Sequence, residues 1–417
     1  MLKYLKIRNF LSFKNETEIS FVSDNRWSLK NNVFSVKNTI LTKNLIIYGA
    51  NASGKSNIIE ALNFIDYFVR KDNMDQWVIP FSLDEKKKKE PSFFEIGFFI
   101  KNKEYQYSFE IHETTVISEK LAEIQRWGEK KKLFDRKKQN FNIHQDFRKE
   151  FSKWEGKIKE NSSILSVLSR WNGKLNGEDI NFFFEKIWLI TVNSIWPRYT
   201  VEFMNLAENN DAREFMIKVM QHADINIEDI QIKKKIMDVE ETTDDIKQAK
   251  KTLVSIIFWH KVAWSDKLEY FPSSFESDGT RQLFSLIWPI VDAIYNEKIL
   301  FIDEIENKLH FLIVEELLKL INSNIKNKKY QIFCTTHNIE LINLDILKKD
   351  QICFVEKDAD QSTEFYKLSD IDLPIRKGLD IKKFYRHWSL WAIPHIQDFS
   401  YLVENYEEDN KQKTSQA

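Results

Sequence analysis

The chain has 417 residues, 42% hydrophobic and 30% charged, with 62 basic against 63 acidic side chains and a formal net charge of -1. That length calls for one large domain with an inserted lobe, or for two domains. The near-neutral balance excludes a polycation that would hold nucleic acid by bulk charge, and two cysteines exclude a disulfide framework or a zinc site of familiar spacing.

The opening Met1 to Arg8 has no signal-peptide pattern. No run reaches the roughly 18 apolar residues of a membrane span, so a cytoplasmic protein without a membrane partner is expected. Thr17, Ile19 and Phe21 alternate as in a strand, and a second, continuously apolar strand follows at Leu45-Ile46-Ile47-Tyr48. Ile58, Leu62, Ile65 and Val69 then recur at helical spacing. Phe94, Ile96, Phe98 and Ile100 alternate, as do Tyr105, Tyr107, Phe109 and Ile111, which predicts a β-hairpin turning near Lys101 to Glu104. Residues 1–144 are therefore read as the first half of an α/β head.

From 145 to 260 the chain turns charged and helical in period, without sustained heptads, and predicts an inserted, mostly helical lobe. Residues 261–403 return to α/β texture. Buried strands are expected at Ile299–Ile302, Ile332–Thr335 and Ile352–Val355, with a helix carrying Val314, Leu317, Leu318 and Ile321 between the first two. Such alternation predicts a mainly parallel sheet with helices on both faces. The two cysteines, Cys334 and Cys353, lie inside these strands and are expected as buried free thiols. Residues 404–417 are read as a polar tail.

Between the Leu45–Tyr48 strand and the helix after it stands Gly49-Ala50-Asn51-Ala52-Ser53-Gly54-Lys55-Ser56, which fits G-x-x-x-x-G-K-S in the context that motif requires. Gly49 and Gly54 let the backbone N–H groups of the loop, through Asn51, Ala52 and Ser53, approach phosphate oxygens at the positive end of a helix. Lys55 is placed for the β- and γ-phosphates, and the Ser56 hydroxyl for Mg²⁺. The strand Ile299–Ile302 delivers Asp303 and Glu304 at its end. Asp303 is expected to hold Mg²⁺, and Glu304 to take the proton of an attacking water as general base. ATP and Mg²⁺ are the expected ligands, and ATP hydrolysis the expected reaction.

Spacing narrows the class. Lys55 and Asp303 lie further apart than a compact P-loop core needs. Glu276-Ser277-Asp278-Gly279-Thr280-Arg281, a small polar turn, opens an apolar helix (Leu283, Phe284, Ile287) shortly before Asp303. Thr335-Thr336-His337-Asn338 closes the next strand. P-loop, polar turn at a helix N-terminus, acidic strand and strand-end histidine follow the order of ABC ATPases.

Together with Ile7-Arg8-Asn9-Phe10-Leu11-Ser12-Phe13, the loop extended through Asn57, and Ile302 to His310, this set resembles the SMC, RecF and OLD-like branch of ABC ATPases. It is most similar to stand-alone bacterial AAA-type ATP-binding proteins, including RloA-like and abortive-infection ATPases. The resemblance runs from Met1 to about Phe399, loosely in the middle, and implies an α/β fold: an ABC-type P-loop NTPase head with a mixed β-sheet, flanking helices and the inserted lobe. It implies that Ser277 and Gly279 form a signature turn touching nucleotide on the opposite subunit, that His337 is the switch histidine, and that Asn307 to His310 crosses a dimer interface. Glu276 and Asp278 depart from transporter signatures, which prefer Leu and Gly there. No Q-loop is assigned; Gln76 before Trp77 is the one candidate considered.

Basic runs at Lys86–Lys89, Lys130–Lys132 and Lys233–Lys235 are interleaved with or flanked by acids, which favours solvated surface over a nucleic-acid track. Val355-Glu356-Lys357-Asp358 opens like a Toprim nuclease, yet only about 60 residues follow, short of a domain. Asp380-Ile381-Lys382 has no defensible partner carboxylate, and Phe384 to Pro394, with Trp388 and Trp391, is expected to pack on the sheet. The functional expectation is a homodimer or higher oligomer joined through its nucleotide sites. It acts as a sensor or regulator in a bacterial anti-phage defence system with a separately encoded effector. The alternative is a RecF/SMC-like repair ATPase that binds DNA itself.

Overall fold

The computed structural model describes residues 1–24, 29–71, 74, 78–145, 148, 151–170, 184, 187–190, 206, 208–239, 249–325 and 327–371. Its strands in chain order are β1 (Leu2–Arg8), β2 (Thr17–Ser20), β3 (Val33–Val36), β4 (Thr39–Thr42), β5 (Asn44–Tyr48), β6 (Ser92–Ile100), β7 (Lys103–His112), β8 (Thr115–Ile124), β9 (Lys130–Lys137) and β10 (Asn140–Ile143). β11 (Ile187–Ile190), β12 (Asp229–Val239), β13 (Ala249–Lys261), β14 (Leu268–Pro272), β15 (Ile299–Ile302), β16 (Gln331–Thr336), β17 (Ile352–Lys357) and β18 (Thr363–Lys367) follow. The α-helices are α1 (Lys55–Arg70), α2 (Ile164–Arg170), α3 (Asn210–His222), α4 (Asp278–Tyr295) and α5 (Phe311–Asn322).

A six-stranded sheet in the order β11-β15-β16-β5-β17-β18 carries the nucleotide motifs. Every pairing in it is parallel except β17 with β18. All five residues of β5 are buried, as expected of a strand covered on both faces. Its alternate side chains enter separate cores. Leu45 and Ile47 join Ile299, Phe301 and Val355 on one side; Ile46 and Tyr48 join Leu300, Ile302 and Phe354 on the other.

The first core is closed by an antiparallel seven-stranded sheet in the order β10-β9-β8-β7-β6-β1-β2. In β7, Tyr105, Tyr107, Phe109 and Ile111 are buried while the residues between them are half-buried, so one face alone meets the core. α1 lies in this core through Ile58, Leu62, Ile65 and Val69. The second core holds α4 and α5. Cys334 and Cys353 are buried free thiols, and burial pushes the Cys353 thiol up to about 12. Among the described residues no helix is long and apolar enough to cross a membrane.

The 145–260 stretch departs from the mostly helical expectation. Its described residues include α2 and α3, but also β11 at one edge of the parallel sheet and β12 paired with β13 over eleven residues. Ile230 and Ile232 alternate with polar neighbours, and Ile256 and Phe258 are buried opposite them. The lysine run at 233–235 hides this two-residue period. Leu165 and Leu168 enter the first core, and Met216, Ile230 and Phe258 the second. Gln76 and Trp77, Asp380 to Lys382, Phe384 to Pro394 and the 404–417 tail lie outside the described residues.

Candidate nucleotide-binding site

β5 runs into the Gly49–Ser56 loop, and α1 begins at Lys55 with Gly54 as its N-cap in the left-handed region. Both glycines are required by what surrounds them. A Cβ on Gly49 would stand 2.5 Å from the Val355 carbonyl oxygen of the neighbouring strand. Gly54 has φ +109°, and a Cβ there would collide with Thr363 Oγ1. Ala52 also takes a positive φ, 62°. The Lys55 ammonium is buried under the loop and donates to the carbonyls of Gly49 and Ala50, each at 2.8 Å. Burial lowers its pKa, opposed by Asp303, Glu304 and Glu306 nearby.

The acidic strand end meets this loop. Ser56 Oγ donates to Asp303 Oδ2 at 2.8 Å, so the two residues assigned to a metal stand side by side although 247 positions separate them. A hydroxyl and a carboxylate are oxygen donors of the kind a hard divalent cation prefers. Glu304 follows with φ 51°, a costly conformation for a residue with a side chain, and its carboxylate is exposed. Thr335, at the end of β16, holds this bend: its hydroxyl donates to Asp303 Oδ1 and accepts from Glu304 N at 2.8 Å. Sequence reading named Thr335 within a motif but gave it no role, because the contact exists only once β15 and β16 pair.

His337 stands just past β16. Glu306 Oε1 accepts from its backbone N–H at 2.8 Å and lies 3.0 Å from its Nδ1. With the His337 side chain 54% exposed and that of Glu306 only 9%, the ring reaches solvent on a buried carboxylate post. Asn57 Nδ2 donates to Ser12 Oγ at 2.6 Å, and Thr363 Oγ1 donates to the Ser53 carbonyl at 2.9 Å. The opening motif and the last hairpin thus hold the loop from behind, a role no local pattern revealed.

Ser277 and Gly279 stand at the start of α4. Ser277 is the N-cap of α4, accepting from Thr280 N at 3.0 Å, as capping chemistry favours. Nothing crowds Gly279: an added Cβ would find only Ser277 Oγ, at 3.8 Å. Two further links reach the turn. Lys308, in the Asn307 to His310 loop, lies 3.3 Å from Asp278 Oδ2, and His260 Nε2 on β13 lies 2.9 Å from Glu276 Oε1. The turn is therefore tied to the acidic-strand loop and to the β12–β13 hairpin.

Replacing Thr335 by Val keeps the shape and removes both hydrogen bonds. Leaving a buried donor unsatisfied costs about 1–3 kcal/mol, so we expect a lower melting temperature together with slowed turnover. Turnover and melting temperature equal to those of the parent would show that Thr335 does not set the acidic bend.

A glycine-rich loop at a helix N-terminus, a hydroxyl paired with a strand-end carboxylate and a histidine just past the next parallel strand define a P-loop ATPase domain. The chain belongs to the family described as "AAA domain, putative AbiEii toxin, Type IV TA system", which matches residues 45–343. It is also similar, at 32% identity over 116 residues, to an ATP/GTP phosphatase of Helicobacter pylori; the stretch covers 27% of this chain and only 29% of that protein. Solved structures of similar fold include the SMC head domain from Thermotoga maritima, with TM-score 0.42 and 15% identity over 88% of this chain and 98% of that one. A Smc head domain with an extended coiled coil bound to the C-terminal domain of ScpA, from Pyrococcus furiosus, has TM-score 0.40 and 12% identity over 88% and 96%.

Proposed function

We propose that this chain binds and hydrolyses ATP at a site completed by a second copy. The carrying observation is that Ser56 meets Asp303 beside the P-loop and that Asp303 and Glu304 lie near enough to Lys55 to oppose the lowering of its pKa, while the hydrogen bonds of Ser277 stay within its own turn. Lys55 faces the β- and γ-phosphates, and the loop N–H groups from Asn51 to Ser56 cradle them. Ser56 and Asp303 would hold Mg²⁺, which would supply charge neutralisation at the phosphates. Glu304 accepts the proton of the attacking water, and His337, held by Glu306, contacts the γ-phosphate region. The partner's signature turn supplies Ser277 and the positive end of α4.

A mixing experiment tests the composite site. Ser277→Arg is expected to spare nucleotide binding by each monomer and to block hydrolysis. Combined with Lys55→Ala, it is expected to recover activity, because each heterodimer regains one intact composite site. Heterodimers that form and never turn over would remove the basis for a site shared between copies.

For biological role, a nucleotide-controlled regulator of a separately encoded effector in bacterial defence has the better support. The matched family's description names a toxin of a type IV toxin–antitoxin system, and the described residues hold no feature read as a nuclease. That β17 turns back into β18 as an antiparallel hairpin supports reading the Val355 to Asp358 stretch as part of the head and not as the start of a Toprim unit. The partner surface is assigned to the 145–260 stretch, whose β13 reaches Glu276 through His260. Co-purification with products of adjacent genes tests this. Nuclease activity of the purified chain, lost on mutating a site outside the ATPase motifs, would overturn it.

A further inference from the structure

Both nitrogens of the His260 ring face oxygen acceptors. Nδ1 lies 2.6 Å from the Asn226 carbonyl oxygen, in the loop before β12. Nε2 lies 2.9 Å from Oε1 of Glu276, the residue before Ser277. A backbone carbonyl only accepts, and so does an ionised carboxylate. A neutral imidazole carries a single N–H and would turn its bare nitrogen against one of these oxygens. Only the imidazolium, with a proton on each nitrogen, satisfies both.

The pair is sheltered. The side chains of His260 and Glu276 are 22% and 12% exposed, and the Phe271 ring of β14 stands edge-on to His260 with centroids 5.5 Å apart. Glu269 is the cross-strand neighbour of His260. A hydrogen bond between ionised partners is roughly twice as strong as a neutral one. The second tie to the turn is weaker. Asp278, which meets Arg281 and Lys308, has a side chain 61% exposed, and exposed ion pairs contribute little. Glu276 is therefore the fixed point of the turn.

That fixed point has a consequence for hydrolysis. Glu276 is bonded directly to Ser277, whose hydroxyl accepts from Thr280 N and opens α4, so a shift at Glu276 carries Ser277 with it. The other end of the tie is rigid, because the β13 neighbours Ile256 and Phe258 are buried in the second core.

We infer that His260 is a positioning residue for ATP hydrolysis: as an imidazolium it holds Glu276, and through it sets Ser277 for the nucleotide of a second copy. The inference rests on the composite-site reading. It also gives the 145–260 stretch, which carries β13, a direct mechanical hold on the turn.

Nitrogen NMR of the full chain with isotope-labelled histidine reports the ring, the His260 signal being identified by its loss in His260→Ala. Two protonated ring nitrogens are expected at neutral pH. Glu276→Gln is expected to return the ring to a neutral form, since its amide can donate to a bare Nε2 and keep the hydrogen bond. One bare nitrogen in the parent overturns the inference. Turnover gives a second readout. His260→Ala and Glu276→Ala are each expected to lower kcat about tenfold with ATP affinity unchanged, and the double substitution no further. Glu276→Gln is expected to recover most of what Glu276→Ala loses. Losses that multiply in the double variant overturn the inference. Mixing then locates the defect. His260→Ala chains with Lys55→Ala chains are expected to exceed the turnover of either alone, because one site pairs an intact P-loop with an intact turn; with Ser277→Arg chains no gain is expected. Recovery by Ser277→Arg with Lys55→Ala but not by His260→Ala with Lys55→Ala overturns the inference and leaves the composite site standing. Recovery in neither mixture overturns both.

Discussion

Glu304→Gln is expected to retain ATP binding and to lose roughly 10²–10⁴-fold in turnover, the usual contribution of a positioned general base. The substitution keeps the size of the side chain and removes its capacity to take a proton. The backbone around residue 304 is set by other groups: Glu304 N donates to Thr335 Oγ1 and Ile305 N to the Thr335 carbonyl at 3.1 Å. The strained φ of 51° survives the change, so the loss is expected in kcat and not in the affinity for ATP. Calorimetric titration with ATP and a steady-state phosphate-release assay separate the two. Turnover within a few-fold of the parent would move the general base elsewhere.

Lys55→Ala is expected to abolish measurable ATP binding. Its ammonium is buried in the loop and is the only lysine or arginine charge within it, and it is lowered in pKa by that burial. A hydrogen bond to a charged group contributes about 1.5–3 kcal/mol, and here one ammonium is expected to serve two phosphates. Lys55→Arg is not expected to rescue, because a planar fork does not fit the space of a point charge. Titration calorimetry with a thermal melt distinguishes lost binding from lost folding. Affinity within threefold of the parent would remove Lys55 from the phosphate site.

The motifs were legible because their chemistry is local. A glycine, a lysine and a serine at fixed offsets between an apolar strand and a helix describe a phosphate cradle wherever they occur, and two carboxylates after Ile302 complete its requirements. The β6–β7 hairpin and the buried strands of the parallel sheet were legible for a similar reason, since periods of two and unbroken apolar runs are written in consecutive residues. The β12–β13 hairpin was not, because Lys233–Lys235 masks the alternation that Ile230 and Ile232 begin.

The sequence by itself determined the glycine-rich loop, the acidic strand, the polar turn that opens the helix of Leu283 and Ile287, and the alternation of strands with helices. These depend on backbone conformation and on which side chains are neighbours along the chain. Tertiary structure alone decided that Ser56 touches Asp303, that Thr335 bends the chain at Glu304, that Glu306 carries His337 and that Thr363 and Ser12 brace the loop. Each of these joins residues separated by about 30 to 350 positions, and no short-range pattern records such a pairing. Strand order set them side by side: β5 lies between β16 and β17, so the ends of three strands and the start of one helix open onto the same edge of the sheet.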